Sequence, residues 1–254
     1  MRILAVVLNT FKEAVRDRIL YSILVFALLM IGGSALLAAL SIGQEAKIIQ
    51  DLGVASISLF GTLIAVFLGI GLVYKEIERR TLYVLLSRPL PRDQFILGKY
   101  LGLGLVLLVN VSLMGLFLFL LTRIYLARWP WHLIPVLGFL FLELLVITGV
   151  ATFFSSFTTP TLSALFTLSL FFIGHFTPDL KVFVARFGGP LTRVLVDLFY
   201  YLLPNLRHFH QEQLLLNGLP LEGIVAFQVV LYGLLYVVAI LLLAMLLFAR
   251  RDLK

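Results

Sequence analysis

Cysteine is absent from this chain of 254 residues, and charged side chains are scarce, at 13% of the total. Without a thiol the chain has no disulfide framework, no thiolate metal site and no cysteine nucleophile. Soluble proteins carry roughly 25% charged and 45–50% apolar residues, whereas 61% of this chain is hydrophobic and its mean hydropathy is +1.09. Composition therefore excludes a soluble domain and predicts an integral membrane protein with lipid as its main solvent.

A nucleotide-binding P-loop, Gly-x-x-x-x-Gly-Lys-Ser/Thr, is also missing from the sequence. We therefore expect the chain to bind no ATP in that way and no other cofactor. The formal net charge of +7 would suggest a nucleic-acid partner in a soluble protein. In a membrane protein such an excess is typical of cytoplasmic loops, so no nucleic-acid partner is expected.

Charge-free stretches divide the chain into membrane spans, because a helix needs ~20 apolar residues to cross a ~30 Å hydrocarbon core. The stretch between Glu143 and Asp179 is too long for one crossing, and the run from Ser155 to Pro160 in its middle ends in a helix-breaking proline. We therefore predict an all-α fold, a single transmembrane domain over 1–254, with six spans at about 19–42, 52–74, 100–122, 132–156, 160–177 and 223–249.

The distribution of Lys and Arg predicts the orientation. Six spans place both termini on the same side of the membrane. If that side is the cytoplasm, 13 of the 20 basic residues lie inside and 7 outside. The positive-inside rule therefore favours a multi-pass protein of the cytoplasmic membrane with both termini in the cytoplasm.

Residues 1–17 show the pattern of a short amphipathic helix. Leu4, Leu8, Phe11 and Val15 recur at helical spacing. We predict a helix that lies in the inner membrane interface; a cytoplasmic extension of the first span is the alternative. Charged residues interrupt any apolar core of a signal peptide here, so none is expected.

The connection 75–99 combines dense charge with a short apolar segment that is followed by two prolines. Charges give orientation and apolar residues give buried contact, so this composition suits a short helix that docks a soluble partner. An ordinary positively charged loop is the alternative. Five consecutive apolar residues at 82–86 are more than such a loop needs, and they favour docking.

This segment resembles the loop between the second and third spans of ATP-binding-cassette (ABC) type-2 permeases. The family's acidic residues, Thr-Leu pair, Leu-Leu-Ser-x-Pro run, basic residue and Gly-Lys are matched in order by Glu76, Glu78, Thr81, Leu82, Leu85, Leu86, Ser87, Pro89, Arg92, Gly98 and Lys99. Arg80 departs from the pattern, since many members have glycine there. The length, the interfacial helix, the six spans and a long connection before the last span extend the resemblance over the whole chain.

The resemblance implies a transport subunit that performs no covalent chemistry. In this family the loop is a coupling helix that sits in a groove of a separate ATPase subunit, which binds the ATP and Mg. It further implies a second permease copy, in a homodimer or a heterodimer, and transport that is typically export. The implied ATPase-docking residues are Glu76, Glu78, Arg79, Arg80, Thr81, Leu82, Leu85, Leu86, Ser87, Arg88, Pro89 and Arg92.

The connection 178–222 is too apolar for a solvated loop. Two stretches of helical periodicity are separated by Gly188, Gly189 and Pro190, which predicts two short outer helices that re-enter the membrane. The resemblance implies that such helices cap the translocation path, so these three residues are our candidates for an outer gate.

Glu143 is the acid that lies well inside a predicted span. A carboxylate in the membrane is costly, which makes Glu143 a candidate for the translocation pathway, a proton relay or helix pairing. A simple hydrogen bond to a neighbouring helix is the alternative. If Glu143 were an ion site, the chain would be an ion-coupled secondary transporter. Such a transporter should show an internal repeat, and we see none between the halves.

His175, His208 and His210 all fall on the outer side, close to Glu212. Imidazoles without a defined third ligand are a weak basis for a metal site, so none is expected. A membrane-embedded enzyme that uses these histidines is a further alternative, although no nucleophile motif accompanies them.

A face of small residues lies on the second span. Gly61, Ala65 and Gly69 repeat every four residues, which predicts close helix packing either within one subunit or between two.

Overall fold

The computed structural model describes residues 2–78, 92–126, 129–187, 203–217 and 221–249, together with 189, 192–193, 196–197 and 200. The elements in these ranges are helical. In chain order they are α1 (Arg2–Val15), α2 (Arg18–Ala38), α3 (Glu45–Glu78), α4 (Arg92–Leu126), α5 (Leu133–Ser155), α6 (Pro160–Phe187), a 3-10 helix (Leu206–Phe209), α7 (Glu212–Leu216) and α8 (Gly223–Ala249).

Six of these helices are long and apolar enough to cross a membrane. Their apolar segments are Arg18–Ala38, Glu45–Gly71, Asp93–Leu126, Leu133–Ser155, Pro160–Thr177 and Gly223–Phe248. The predicted all-helical fold with six spans is therefore confirmed.

Several helices run beyond the predicted ends of the spans. Helix α3 begins at Glu45 and α4 begins at Arg92, inside the segment that was predicted as loop. Charged side chains near the end of a span can reach the polar interface, so a charge does not end a helix. Helix α6 also passes through Pro178 to Phe187, so the first of the two predicted outer helices is a continuation of the fifth span.

Helix α1 packs directly on the start of α4. A side chain at Gly98 would lie 2.8 Å from Cβ of Val6, and one at Gly102 would lie 2.6 Å from Cβ of Thr10. The missing side chains of the two glycines, four residues apart on one helix face, let the helices touch. This contact buries one side of α1 and leaves Leu4 and Leu8 exposed. The location of α1 in the membrane interface stays a prediction.

Helix α5 forms the centre of the fold, and α3 packs closely against it. A Cβ atom at Gly61 would lie 2.6 Å from Cδ1 of Leu144, and one at Gly69 would lie 2.4 Å from Cβ of Ala151. Ala65, between these two glycines on the same face, is fully buried. The predicted small-residue face therefore serves packing within one subunit.

A tight turn joins α5 to α6, as the proline-ended run predicts. Pro160 is the first residue of α6, where a missing backbone N–H costs the helix nothing. The Ser155 hydroxyl donates to the carbonyl of Ile70 over 3.0 Å, and the Ser163 hydroxyl donates to the carbonyl of Ala151 over 3.3 Å. These bonds attach the turn to α3 and hold α5 and α6 antiparallel.

The contact at Gly69 predicts a specific loss of stability. In Gly69→Ala the new methyl group meets Cβ of Ala151, which has no flexible end that could move aside, so the helices must separate. We expect destabilisation of about 1–3 kcal/mol, measured by thermal unfolding of the purified protein in detergent.

Gly138→Ala is the matched control, because a Cβ atom there meets nothing within 4 Å. Alanine favours a helix over glycine by about 1 kcal/mol, so this variant should be as stable as the parent protein or slightly more so. Equal stability of the two variants would contradict the proposed tightness of the contact between α3 and α5.

Candidate functional site

The predicted docking residues fall mostly outside the described part of the chain. This applies to Arg79, Arg80, Thr81, Leu82, Leu85, Leu86, Ser87, Arg88 and Pro89. The backbone of Glu76 and Glu78 lies in the last turns of α3, and Arg92 begins α4. Their role in docking stays a prediction.

The predicted outer gate is described at one of its three residues. Gly188 and Pro190 lie outside the described residues, whereas Gly189 is described and a side chain there would enter open space. The role of these residues in gating also stays a prediction.

Glu143 lies in the well-buried helix α5. Its side chain is 1% exposed, at the midpoint of α5. Two neighbouring hydroxyls of α5 find acceptors within the helix: those of Thr148 and Thr152 donate to the carbonyls of Leu144 and Thr148. A carboxylate cannot donate, so Glu143 needs partners from other elements.

His175 reaches Glu143 because of the geometry of the hairpin. The two residues lie about 18 Å and about 22 Å from the turn along α5 and α6, at 1.5 Å per residue. Antiparallel helices therefore place them at similar depth. The Nε2 atom of His175 lies 3.5 Å from Oε1 of Glu143.

His210 comes from the segment that follows α6 in the chain. Leu206 and Phe209 of the 3-10 helix are buried, and they anchor the segment against the spans. A side chain at Gly174 would lie 2.6 Å from the carbonyl oxygen of Pro204, so this glycine lets the segment approach α6. The backbone N–H of Asn205 donates to the Tyr232 hydroxyl of α8 over 2.8 Å.

These elements bring Glu143, His175, His210 and Glu212 together in what we call the Glu–His cluster. The Nε2 atom of His210 lies 3.3 Å from Oε2 of Glu143 and 2.8 Å from Nε2 of His175. Sequence reasoning singled out each residue but did not join Glu143 to the histidines. The similar distance of Glu143 and His175 from the hairpin turn was a usable indication of that contact.

The Nδ1 atom of each histidine has its own acceptor. Nδ1 of His175 lies 3.2 Å from the carbonyl oxygen of Phe171, and Nδ1 of His210 lies 2.8 Å from Oε1 of Glu212. A carbonyl and a carboxylate only accept, so both Nδ1 atoms carry hydrogen. In the neutral imidazoles the two Nε2 atoms then present lone pairs to each other and to Glu143.

The charges around His210 favour its protonated form. Burial alone would lower the pKa of His210, but hydrogen bonds to Glu143 and Glu212 outweigh burial and raise the pKa to about 10. Burial would raise the pKa of Glu212, but the bond to His210 lowers it overall. The two carboxylates thus favour positive charge on His210.

His208 takes no part in the Glu–His cluster. Its Nε2 atom lies 3.2 Å from Nδ2 of Asn205, and its ring packs edge-on against Tyr232. Burial lowers the pKa of His208. The two histidines of the His-x-His pair therefore differ in role: His208 packs against Asn205 and Tyr232, whereas His210 faces the buried carboxylate of Glu143.

Comparison with known proteins bears on the whole chain. Residues 4–253 match the model of a family described as ABC-2 family transporter protein. Over 100 residues the chain is 40% identical to the probable ABC transporter permease protein NosY of Pseudomonas aeruginosa, covering 37% of this chain and 36% of that protein. Over 105 residues it is 38% identical to the protein of the same name from Stutzerimonas stutzeri, covering 39% and 38%.

The alignments span little more than a third of the length of these two curated relatives. The family model, by contrast, covers nearly the whole chain, from the first turn of α1 to beyond the end of α8. With its six apolar helices, this multi-pass membrane protein belongs to the ABC-2 family of transporter proteins.

Proposed function

We propose that the chain is the membrane-spanning permease of an ABC transporter, which exports its substrate across the cytoplasmic membrane with energy from a separate ATPase subunit. The observation that carries this proposal is the family match over residues 4–253. ATP and Mg bind the ATPase, since this chain has no P-loop. Both termini face the cytoplasm in this proposal, in line with the charge distribution.

The geometry of α3 and α4 supports docking at the connection between them. Helix α3 is continuous from the second span to Glu78, and α4, which contains the third span, begins at Arg92. Residues 79–91 therefore connect two helices that are continuous with membrane spans. A displacement at this connection passes along the helices into the membrane, because a helix resists bending better than a loop does.

The position of helix α1 also supports docking at this end of the molecule. It packs on the start of α4, and Oε2 of Glu13 lies 3.5 Å from Nζ of Lys99. Lys99 is 3% exposed, so this partly buried ion pair is screened less than a surface pair. We propose that α1 braces the coupling connection when the ATPase closes.

The permease acts as a dimer in this proposal, with a second copy of the chain or a related subunit. Six spans form half of the pathway, and closure of two ATPase subunits rocks the halves against each other. The face that contains Gly61 and Gly69 is occupied by α5, so the contact between subunits uses other helices. The segment 178–222 gates the outer end.

Charge reversal tests the docking surface. Glu76→Lys together with Glu78→Lys places positive charge beside the basic residues of the connection. We expect loss of at least about tenfold in affinity for the ATPase, since like charges at an interface cost several kcal/mol. Co-purification of the tagged chain from its native membrane measures the retained ATPase.

The matched control makes the same change in charge at the other ends of the spans. Glu45→Lys with Glu222→Lys alters the start of α3 and the residue before α8. This variant should retain the ATPase. If the Glu76 and Glu78 variant also retained it, the ATPase would dock elsewhere.

The absence of cysteine permits a direct test of topology. Thr159→Cys lies in the turn between α5 and α6, and Gln44→Cys precedes α3; both positions are exposed. In intact cells an impermeant maleimide should label Gln44→Cys, whereas Thr159→Cys should react after permeabilisation alone. Reversed labelling would overturn the proposed orientation.

The source of energy separates this proposal from an ion-coupled carrier that uses Glu143. In proteoliposomes containing the complex, transport should require ATP and persist when ionophores collapse ion gradients. Transport by the chain alone, driven by a gradient and lost in Glu143→Gln, would establish the ion-coupled carrier instead.

A further inference from the structure

We propose that Glu143, His175 and His210 form a binding site for a divalent first-row transition metal ion of the zinc type, held by two imidazole nitrogens and a carboxylate. This inference departs from the sequence-based expectation that the chain holds no metal site. It does not depend on the proposed transport function.

The distances within the triad suit a small divalent ion. One ligand atom from each residue can be chosen so that all three lie within 4.8 Å of one another. Tetrahedral zinc with bonds of 2.0–2.1 Å sets its ligand atoms about 3.3 Å apart. The two Nε2 atoms lie 2.8 Å apart, Nε2 of His210 lies 3.3 Å from Oε2 of Glu143, and Nε2 of His175 lies 3.5 Å from the other carboxylate oxygen, Oε1. These separations bracket that value.

Neighbouring groups already orient the ligands as a metal requires. Nδ1 of His210 donates to Glu212 and Nδ1 of His175 donates to the carbonyl of Phe171, at 2.8 and 3.2 Å. Such bonds turn Nε2 towards the metal and increase its basicity. The ring of Phe171 also packs against His175, with centroids 4.5 Å apart, and restricts its rotation.

A buried polar atom independently indicates a ligand. Among the described residues Oε1 of Glu143 has no hydrogen-bond partner, although its side chain is 1% exposed. His175 lies within ion-pair distance of this oxygen but makes no hydrogen bond to it. A buried carboxylate oxygen without a donor is costly, and a metal ion would satisfy it together with both imidazoles.

The donor set selects the class of ion. Imidazole nitrogens suit zinc and its first-row neighbours, whereas calcium and magnesium prefer oxygen ligands alone. Three protein ligands leave at least one coordination position open for water or another small ligand. The carboxylates of Glu143 and Glu212 also give the site the negative charge that a divalent cation requires.

Occupancy of the site would join three separate parts of the chain. Glu143 belongs to α5, His175 to α6, and His210 to the segment between the 3-10 helix and α7. An ion that binds only the folded arrangement stabilises it by mass action. We therefore expect the metal to raise the unfolding temperature and to slow amide exchange in the segment 203–217.

The test uses the full chain, purified in detergent with an affinity tag that contains no histidine and washed with a chelator. Titration with Co²⁺ should give the visible absorption of a four-coordinate imidazole and carboxylate site, and Zn²⁺ should abolish this absorption by competition. Binding should be one ion per chain. Absence of saturable Co²⁺ and Zn²⁺ binding would overturn the proposal.

The variants separate the ligands from their neighbours. Glu143→Gln, His175→Asn and His210→Asn should each weaken binding at least about 100-fold. Glu212 orients His210 without touching the ion, so Glu212→Gln should weaken metal binding about 10- to 100-fold. Retention of parental affinity in Glu143→Gln would overturn the proposal.

His208→Asn is the matched control, since this histidine lies two residues from His210 but outside the triad. It should bind metal like the parent chain. Equal loss in His208→Asn and His210→Asn would indicate a surface His-x-His site and would overturn the proposal. If a histidine variant fails to fold, Glu143→Gln and Glu212→Gln, which preserve side-chain shape, decide the question by the same titration.

Discussion

Burial of α5 on almost every side is the constraint on which the rest of the structure depends. The middle of such a helix is buried, so each polar group in it must find a partner within the protein. The hydroxyl groups of Thr148 and Thr152 do so through carbonyls of their own helix. Glu143 cannot, and it therefore requires donors from α6 and from the segment that contains His210.

This requirement accounts for the course of the chain after α6. A segment without regular helix is tolerated beside membrane spans where protein covers its backbone. Leu206 and Phe209 bury their side chains there, and Gly174 lets the backbone approach. The same contacts that position His210 thus make the irregular segment stable.

The hydrophobic pattern was sufficient to predict six spans, because a charge inside the membrane is so costly that charge-free stretches mark each crossing. The turn at Pro160 followed from local chemistry. The ends of α3 and α4 could not be predicted in this way, since charged side chains at Glu45 and Arg92 are compatible with helix at the interface. The local sequence pattern therefore predicts the presence of a helix more reliably than it predicts the residues at which the helix begins and ends.

Contacts between segments that are distant in the sequence were harder to predict than the spans themselves. The small-residue face of α3 was visible in the sequence, but its partner α5 was not, because any close-packed helix satisfies the same pattern. Likewise Glu143 was recognised as unusual, whereas His210 lies 67 positions later in the chain, beyond the whole of α6. Pattern identifies residues that need a partner, and the fold supplies the partner.

The approach of Gly69 to Ala151 has a mechanical consequence. Two helices in contact without intervening side chains have little room to slide or rotate against each other. We therefore expect α3 and α5 to move together as one rigid body. The Ser155–Ile70 hydrogen bond holds α3 and α5 together at the end from which the chain leaves α3 towards α4. Any rearrangement of the subunit must then take place at the more exposed helices α2, α6 and α8, which can move relative to this stiff pair.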